Sequence, residues 1–175
     1  MLTRRALGLS AGALALTACT QAQTQAVASD GTVESKAMPD TKSTENIDWA
    51  SLSETDWKAR LTDQEFHVLR KEGTERPYTS PLNENIQIGT YACAGCGLPL
   101  FTSDKKYNSG TGWPSFFDAI EGAIETKVDR KLFVPRTEYH CARCGGHQGH
   151  VFKDGPQPTG LRYCNNGVAL DFIEM

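Results

Sequence analysis

Cys93-Ala94-Gly95-Cys96-Gly97 and Cys141-Ala142-Arg143-Cys144-Gly145 decide how this chain folds. A Cys-x-x-Cys turn presents two thiolates to one tetrahedral cation, and the glycine after each second cysteine lets the chain curl so that backbone amides point at sulfur. Two such knuckles, with 44 residues between Cys96 and Cys141, supply the four soft ligands of a closed structural site for one zinc ion per chain. A bare Cys-x-x-Cys in an exported protein reads as a disulfide or a redox dithiol. Two copies, each trailed by glycine, favour the metal. No Cys-x-x-Cys-His haem motif is present. Four cysteines are thereby taken, leaving Cys19 and Cys164.

Outward from the knuckles the hydrophobic period is two. Ile86 and Ile88 alternate with Gln87, and Ile124, Thr126 and Val128 alternate with polar neighbours. Residues 131–140, Val151-Phe152 and residues 161–173 are further extended candidates, separated by Asn108-Ser109-Gly110, Gly112, Asp154-Gly155-Pro156 and Asn165-Asn166-Gly167. Upstream the period is helical. Ser53 and Asp56 offer a cap for a short helix to about Arg60; Thr62-Asp63-Gln64-Glu65 is a capping box that Leu61 and Phe66 staple. Phe66 and Leu69 share a face, Gly73 is expected to end this second helix, and Pro77 prevents its resumption. The pattern is a mainly β, antiparallel domain behind two short helices, with zinc stapling two distant hairpins.

The chain has 175 residues, of which 39% are hydrophobic and 22% charged, with a net charge of −3. That suits one domain with an appendage and argues against nucleic acid as a partner. Residues 1–18 read as a signal peptide: Thr3-Arg4-Arg5 begins a positive segment, residues 6–15 are small and apolar, and Leu16-Thr17-Ala18-Cys19 closes it. The apolar stretch is too short to span a bilayer. The paired arginines resemble a twin-arginine export signal, which carries proteins already folded and would allow metal loading before export. Leu-Thr-Ala-Cys resembles a bacterial lipobox. It would make Cys19 the lipidated first residue, anchoring the protein on the periplasmic side of the bacterial cell envelope, with the lipid as its only membrane contact. Simple secretion, with Cys19 incidental, is the other reading. Removal of residues 1–18 leaves 16 basic against 21 acidic residues. Residues 19–45 lack an aromatic or periodic apolar pattern and read as a tether, so the folded domain spans residues 46–175.

Three stretches carry chemistry. In Leu161-Arg162-Tyr163-Cys164-Asn165-Asn166, strand alternation places Arg162, Cys164 and Asn166 on one face, and a guanidinium beside a thiol favours the nucleophilic thiolate. A lone strand cysteine is otherwise a small buried hydrophobe. His147 and His150, in Gly145-Gly146-His147-Gln148-Gly149-His150, are an acid or base pair, or else surface histidines of a glycine-rich turn. Trp113, in Gly110-Thr111-Gly112-Trp113-Pro114-Ser115-Phe116, presents an indole to a ligand or packs in the core.

From Trp57 to Met175 the chain resembles the methionine-R-sulfoxide reductases. The two knuckles, Ser-Gly-x-Gly-Trp-Pro-Ser-Phe at 109–116, Gly-His-x-Gly-His-Val-Phe at 146–152 and Gly-Leu-Arg-Tyr-Cys-x-Asn at 160–166 carry the likeness. The resemblance implies two antiparallel sheets with zinc remote from the active site. It implies Cys164 as the catalytic cysteine, Trp113 as the wall that receives the sulfoxide methyl, and His147, His150 and Asn166 as the polar set holding substrate and water. It implies Arg162 as the support of the thiolate. It implies as substrate oxidised methionine, in proteins or peptides or free, and a cycle that passes through a Cys164 sulfenic acid. Many members carry a resolving cysteine where this chain has Thr111, which implies reduction by an external thiol, small or thioredoxin-like. Two rivals remain: a zinc-stabilised β module that binds without catalysing, for which Cys164→Ser is silent, and a thiol oxidoreductase using a Cys-x-x-Cys pair.

Overall fold

Two capping boxes start the ordered part of the chain. The computed structural model describes residues 47–131 and 134–175; the expected signal peptide, lipobox and tether lie outside them. Ser53 Oγ accepts the Asp56 amide while Asp56 Oδ2 accepts the Ser53 amide, opening α1 (Glu54–Arg60). Thr62 and Glu65 exchange the same two bonds at the head of α2 (Asp63–Lys71). Trp57, Phe66, Val68 and Leu69 turn inward from this pair. The left-handed residue ending α2 is Glu72 (φ 53°), not Gly73 as expected. Gly73 meets a different demand, since a Cβ there would lie 2.2 Å from His67 Nε2.

Among the described residues nine strands follow: β1 (Gly89–Cys93), β2 (Pro99–Thr102), β3 (Lys106–Tyr107), β4 (Ser115–Phe116), β5 (Ile124–Asp129), β6 (Arg136–Cys141), β7 (His147–Phe152), β8 (Arg162–Asn165) and β9 (Leu170–Glu174). They form two antiparallel sheets, ordered β2-β1-β9 and β3-β4-β8-β7-β6-β5. The mainly β, two-sheet expectation holds.

Three of the expected extended runs end elsewhere. Ile86 and Ile88 precede β1 and are 95% and 73% exposed; the residue-by-residue ladder starts at Gly89, with one bond before it from the Met175 amide to the Ile88 carbonyl. At Gly89 the backbones approach so closely that a Cβ would meet the Ile173 carbonyl at 2.3 Å. The 131–140 run pairs only from Arg136; Asp129 Oδ1 accepts the Lys131 amide at 2.8 Å and turns the chain out of β5. The 161–173 run is broken at the 3-10 turn Gly167–Ala169, where the chain leaves one sheet for the other.

An aromatic seam fills the space between the sheets. Phe101 of β2 stacks on Phe116 of β4 (centroids 4.2 Å apart), Tyr91 of β1 meets Phe116 edge-on, and Tyr139 of β6 meets Phe101 edge-on. All four are fully buried. Each such side chain contributes on the order of 1.5–3 kcal/mol through burial alone. α2 lies against the second knuckle, where Arg70 donates to the Cys144 carbonyl at 2.9 Å and a Cβ on Gly146 would touch Leu69.

Candidate active site and metal centre

Each knuckle sits at the end of a hairpin, and the two hairpins belong to different sheets. Cys93 closes β1 and Cys141 closes β6. Gly97 (φ 72°) and Gly145 (φ 67°) are left-handed and return their amides to the Cys93 and Cys141 carbonyls at 2.7 and 2.8 Å. The four sulfurs are buried and lie within 4.8 Å of one another. Cys93 and Cys144 Sγ are 3.7 Å apart, and Cys96 and Cys141 Sγ 3.5 Å. Those spacings far exceed a disulfide bond (~2.05 Å). Ligands about 2.3 Å from a tetrahedral zinc are themselves about 3.8 Å apart, so the donor set fits that ion.

The second site lies where β7 and β8 pair. Cys164 of β8 faces His150 of β7 on one side and Ser115 of β4 on the other. Gly149 makes this approach possible: a Cβ there would stand 1.9 Å from the Cys164 carbonyl oxygen. His147 and His150 are three residues apart, and simple alternation would put them on opposite faces. A bulge cancels that. Between the pairs His140–His147 and Tyr139–Gly149, β7 spends one extra residue, Gln148. The two imidazoles therefore meet edge-on with centroids 5.6 Å apart.

A cleft of about 130 Å³ opens here, lined by Cys164, Trp113, His150, Phe152, Arg136 and Asn166 among others. Trp113 is pinned by its Nε1–H, which donates to the Glu75 carbonyl at 3.2 Å. Asn166 Oδ1 accepts the Glu75 amide at 3.0 Å, and its Nδ2 donates to the Gln148 carbonyl at 2.9 Å. The Glu75 carboxylate in turn accepts the Gly167 and Val168 amides at 2.6 and 2.9 Å. One buried acid thus ties the loop after α2 to both Trp113 and Asn166.

Charge in the site is held by two carboxylate–imidazole pairs. A carboxylate only accepts, so His147 Nδ1–H donates to Glu138 Oε1 at 2.7 Å and His150 Nε2–H to Asp129 Oδ2 at 2.8 Å. Arg136 donates to the same Asp129 oxygen at 2.6 Å. The Lys131 amide, then His150 and Arg136, hold the Asp129 carboxyl well below the usual range. Burial pushes Glu138 up, but His147, Lys127 and His140 outweigh it and its carboxyl ends below its ordinary value. Burial holds the His150 imidazole below its ordinary value, against the pull of Asp129. Burial likewise raises the Cys164 thiol, opposed by Arg162 and Thr111.

Arg162, expected to support the thiolate, opposes the burial but does not outweigh it. Its guanidinium is spent chiefly on Asp154, with bonds of 2.9 and 2.8 Å, and it lies over the Phe152 ring. The structure brings Cys164, Trp113, His150 and Asn166 to one cleft. Arg162 is not in the cleft lining but lies over the ring of Phe152, which is, and His147 lines the adjoining charged recess with Glu138, Asp129 and Lys127. Sequence reasoning missed Arg136, Asp129, Glu138 and Glu75. Opposite charges at both ends of a candidate strand pair signalled the first two, which face each other across β5 and β6. Glu75 had no local signal.

A family model described as SelR domain matches residues 61–174. A Methanosarcina mazei protein named peptide methionine sulfoxide reductase MsrB is 54% identical over 123 residues, which cover 70% of this chain and 88% of that one. An Agrobacterium fabrum protein of the same name is 50% identical over 69% of this chain and 90% of its own. An Arabidopsis thaliana protein named peptide methionine sulfoxide reductase B1, chloroplastic, is 46% identical over 82% of this chain and 72% of its own.

Proposed function

The chain belongs to the SelR-domain family, the methionine-R-sulfoxide reductases, and from that premise we propose how its residues carry the reaction. The enzyme reduces methionine-R-sulfoxide to methionine. One observation carries the mechanism: among the described residues, Cys164 is the one cysteine outside the four-sulfur cluster, and it sits in the cleft with Trp113 and His150.

The substrate methyl packs on the Trp113 indole, and the sulfoxide oxygen points to the imidazole side. An apolar wall opposite polar groups accepts one sulfur configuration. Burial disfavours both a Cys164 thiolate and a His150 imidazolium, so proton transfer between them waits for a substrate oxygen to receive it. The thiol proton passes to the ring nitrogen of His150 that Asp129 does not hold, and from there to the sulfoxide oxygen. Cys164 Sγ attacks the substrate sulfur, the S–O oxygen ends on Cys164, and methionine leaves. The products are one thioether and one sulfenic acid, with methionine sulfur reduced and cysteine oxidised by two electrons. An external thiol then condenses with the sulfenic acid, releasing water, and a second thiol frees Cys164. Thr111 has no thiol to take that part.

Cys93, Cys96, Cys141 and Cys144 would hold the metal, which would supply no step of the reaction; zinc in that cage would tie the two sheets together. We assign the enzyme to the cell envelope, anchored through Cys19, where it repairs exported proteins. Labelled fatty acid should appear in the wild type and vanish in Cys19→Ser; a variant that still carries label refutes the anchor.

The R and S epimers of a methionine-sulfoxide peptide test the chemistry. Turnover of R alone, lost in Cys164→Ser, is expected. Activity that survives Cys164→Ser overturns the mechanism.

A further inference from the structure

The extra residue in β7 is also the one whose side chain reaches the metal centre. Gln148 is fully buried. Its Nε2–H donates to Cys93 Sγ at 3.3 Å, and its Oε1 accepts Asn165 Nδ2 at 3.3 Å. Its backbone carbonyl accepts two bonds of 2.9 Å, from the amide and from Nδ2 of Asn166. One residue is therefore bonded to a metal ligand and to both residues that follow Cys164.

The connection continues past those two residues. The Asn165 amide donates to the Pro114 carbonyl at 2.9 Å, next to Trp113, and Asn165 Oδ1 accepts the Tyr139 hydroxyl at 2.6 Å. Asn165 and Asn166 are both buried, so their bonds face no competition from solvent. A metal-bound thiolate retains lone pairs and negative charge, and an N–H donor aimed at it is fixed by them. A free thiol is a much weaker acceptor. The orientation of the Gln148 amide therefore depends on whether Cys93 is ligated, and the amide's other end holds the floor of the cleft.

We propose that Gln148 is a positioning residue through which metal occupancy of the four-cysteine site sets the segment 164–166 that walls the sulfoxide cleft. The inference rests on the reading above only in taking Cys164 as the reacting group. It gives the bulge a purpose, because an unbulged β7 would aim this side chain elsewhere and separate the two histidines.

The test compares metal-loaded wild type, Gln148→Leu and Gln148→Glu. The glutamate keeps the volume and the acceptor toward Asn165 but loses the donor toward Cys93. With cobalt in the cage, both variants should shift the sulfur-to-metal charge-transfer band. Metal affinity should fall about tenfold in Gln148→Leu, the low end of what outer-shell changes do at metal sites, and exchange of the Asn165 and Asn166 amide hydrogens should speed. Stripping metal from the wild type with a chelator should loosen the same two amides before those of β5, and this reading stands even where a variant does not fold. Bands unchanged in both variants, or Asn165 and Asn166 indifferent to metal removal, would overturn the proposal. None of these readings needs turnover, so a failure of the sulfoxide chemistry would show separately.

Discussion

Burial and charge pull the Cys164 thiol in opposite directions, and burial wins. Removing the opposing charge gives a signed prediction. Arg162→Met should raise the thiol further, moving Cys164 alkylation by iodoacetamide to higher pH. The rate deficit is full at pH below both thiol values and shrinks as pH rises through and above them. An unchanged alkylation profile would mean that Asp154 already neutralises Arg162 completely. The sequence showed the Arg162–Cys164 proximity, because alternation along a strand is a local rule. It did not show the Asp154 partner, which arrives from the turn after β7. The same limit hid Glu75, whose carboxylate reaches amides more than 90 residues away in sequence.

At the scale of elements, two capping boxes and two cysteine knuckles were legible because each completes its hydrogen bonds within a few residues. Ile86 and Ile88 misled because alternation marks a strand only where a partner covers one face, and none does there. The histidine motif looked like either a turn or a catalytic pair. It is a bulged strand, and a bulge leaves no mark in a period-two count. The element-level demand that bears on the site is at Gly149, where β7 and β8 approach too closely for a side chain. Gly149→Ala should cost roughly 1–3 kcal/mol in chemical denaturation, typical of overpacking. It should also lower kcat/KM, since the atom displaced is the Cys164 carbonyl. A stable, fully active Gly149→Ala enzyme would show that the β7–β8 spacing does not set the nucleophile.

Across the whole molecule, the two sheets share an aromatic seam and are joined by four sulfurs at one end. The chain crosses between sheets directly after Cys164. Cys164 thus stands close to the junction that the four-cysteine cluster spans. Two cysteine pairs separated by a long gap announced that brace in the sequence, although which sheet each belonged to required the strand order. A single turnover without reductant tests the division of sulfur roles most directly. After one equivalent of R-sulfoxide peptide, mass spectrometry should find one dimedone adduct, on Cys164, with the four cage sulfurs unlabelled and one metal per chain. An intramolecular disulfide involving Cys164, or an adduct on a cage cysteine, would contradict the account.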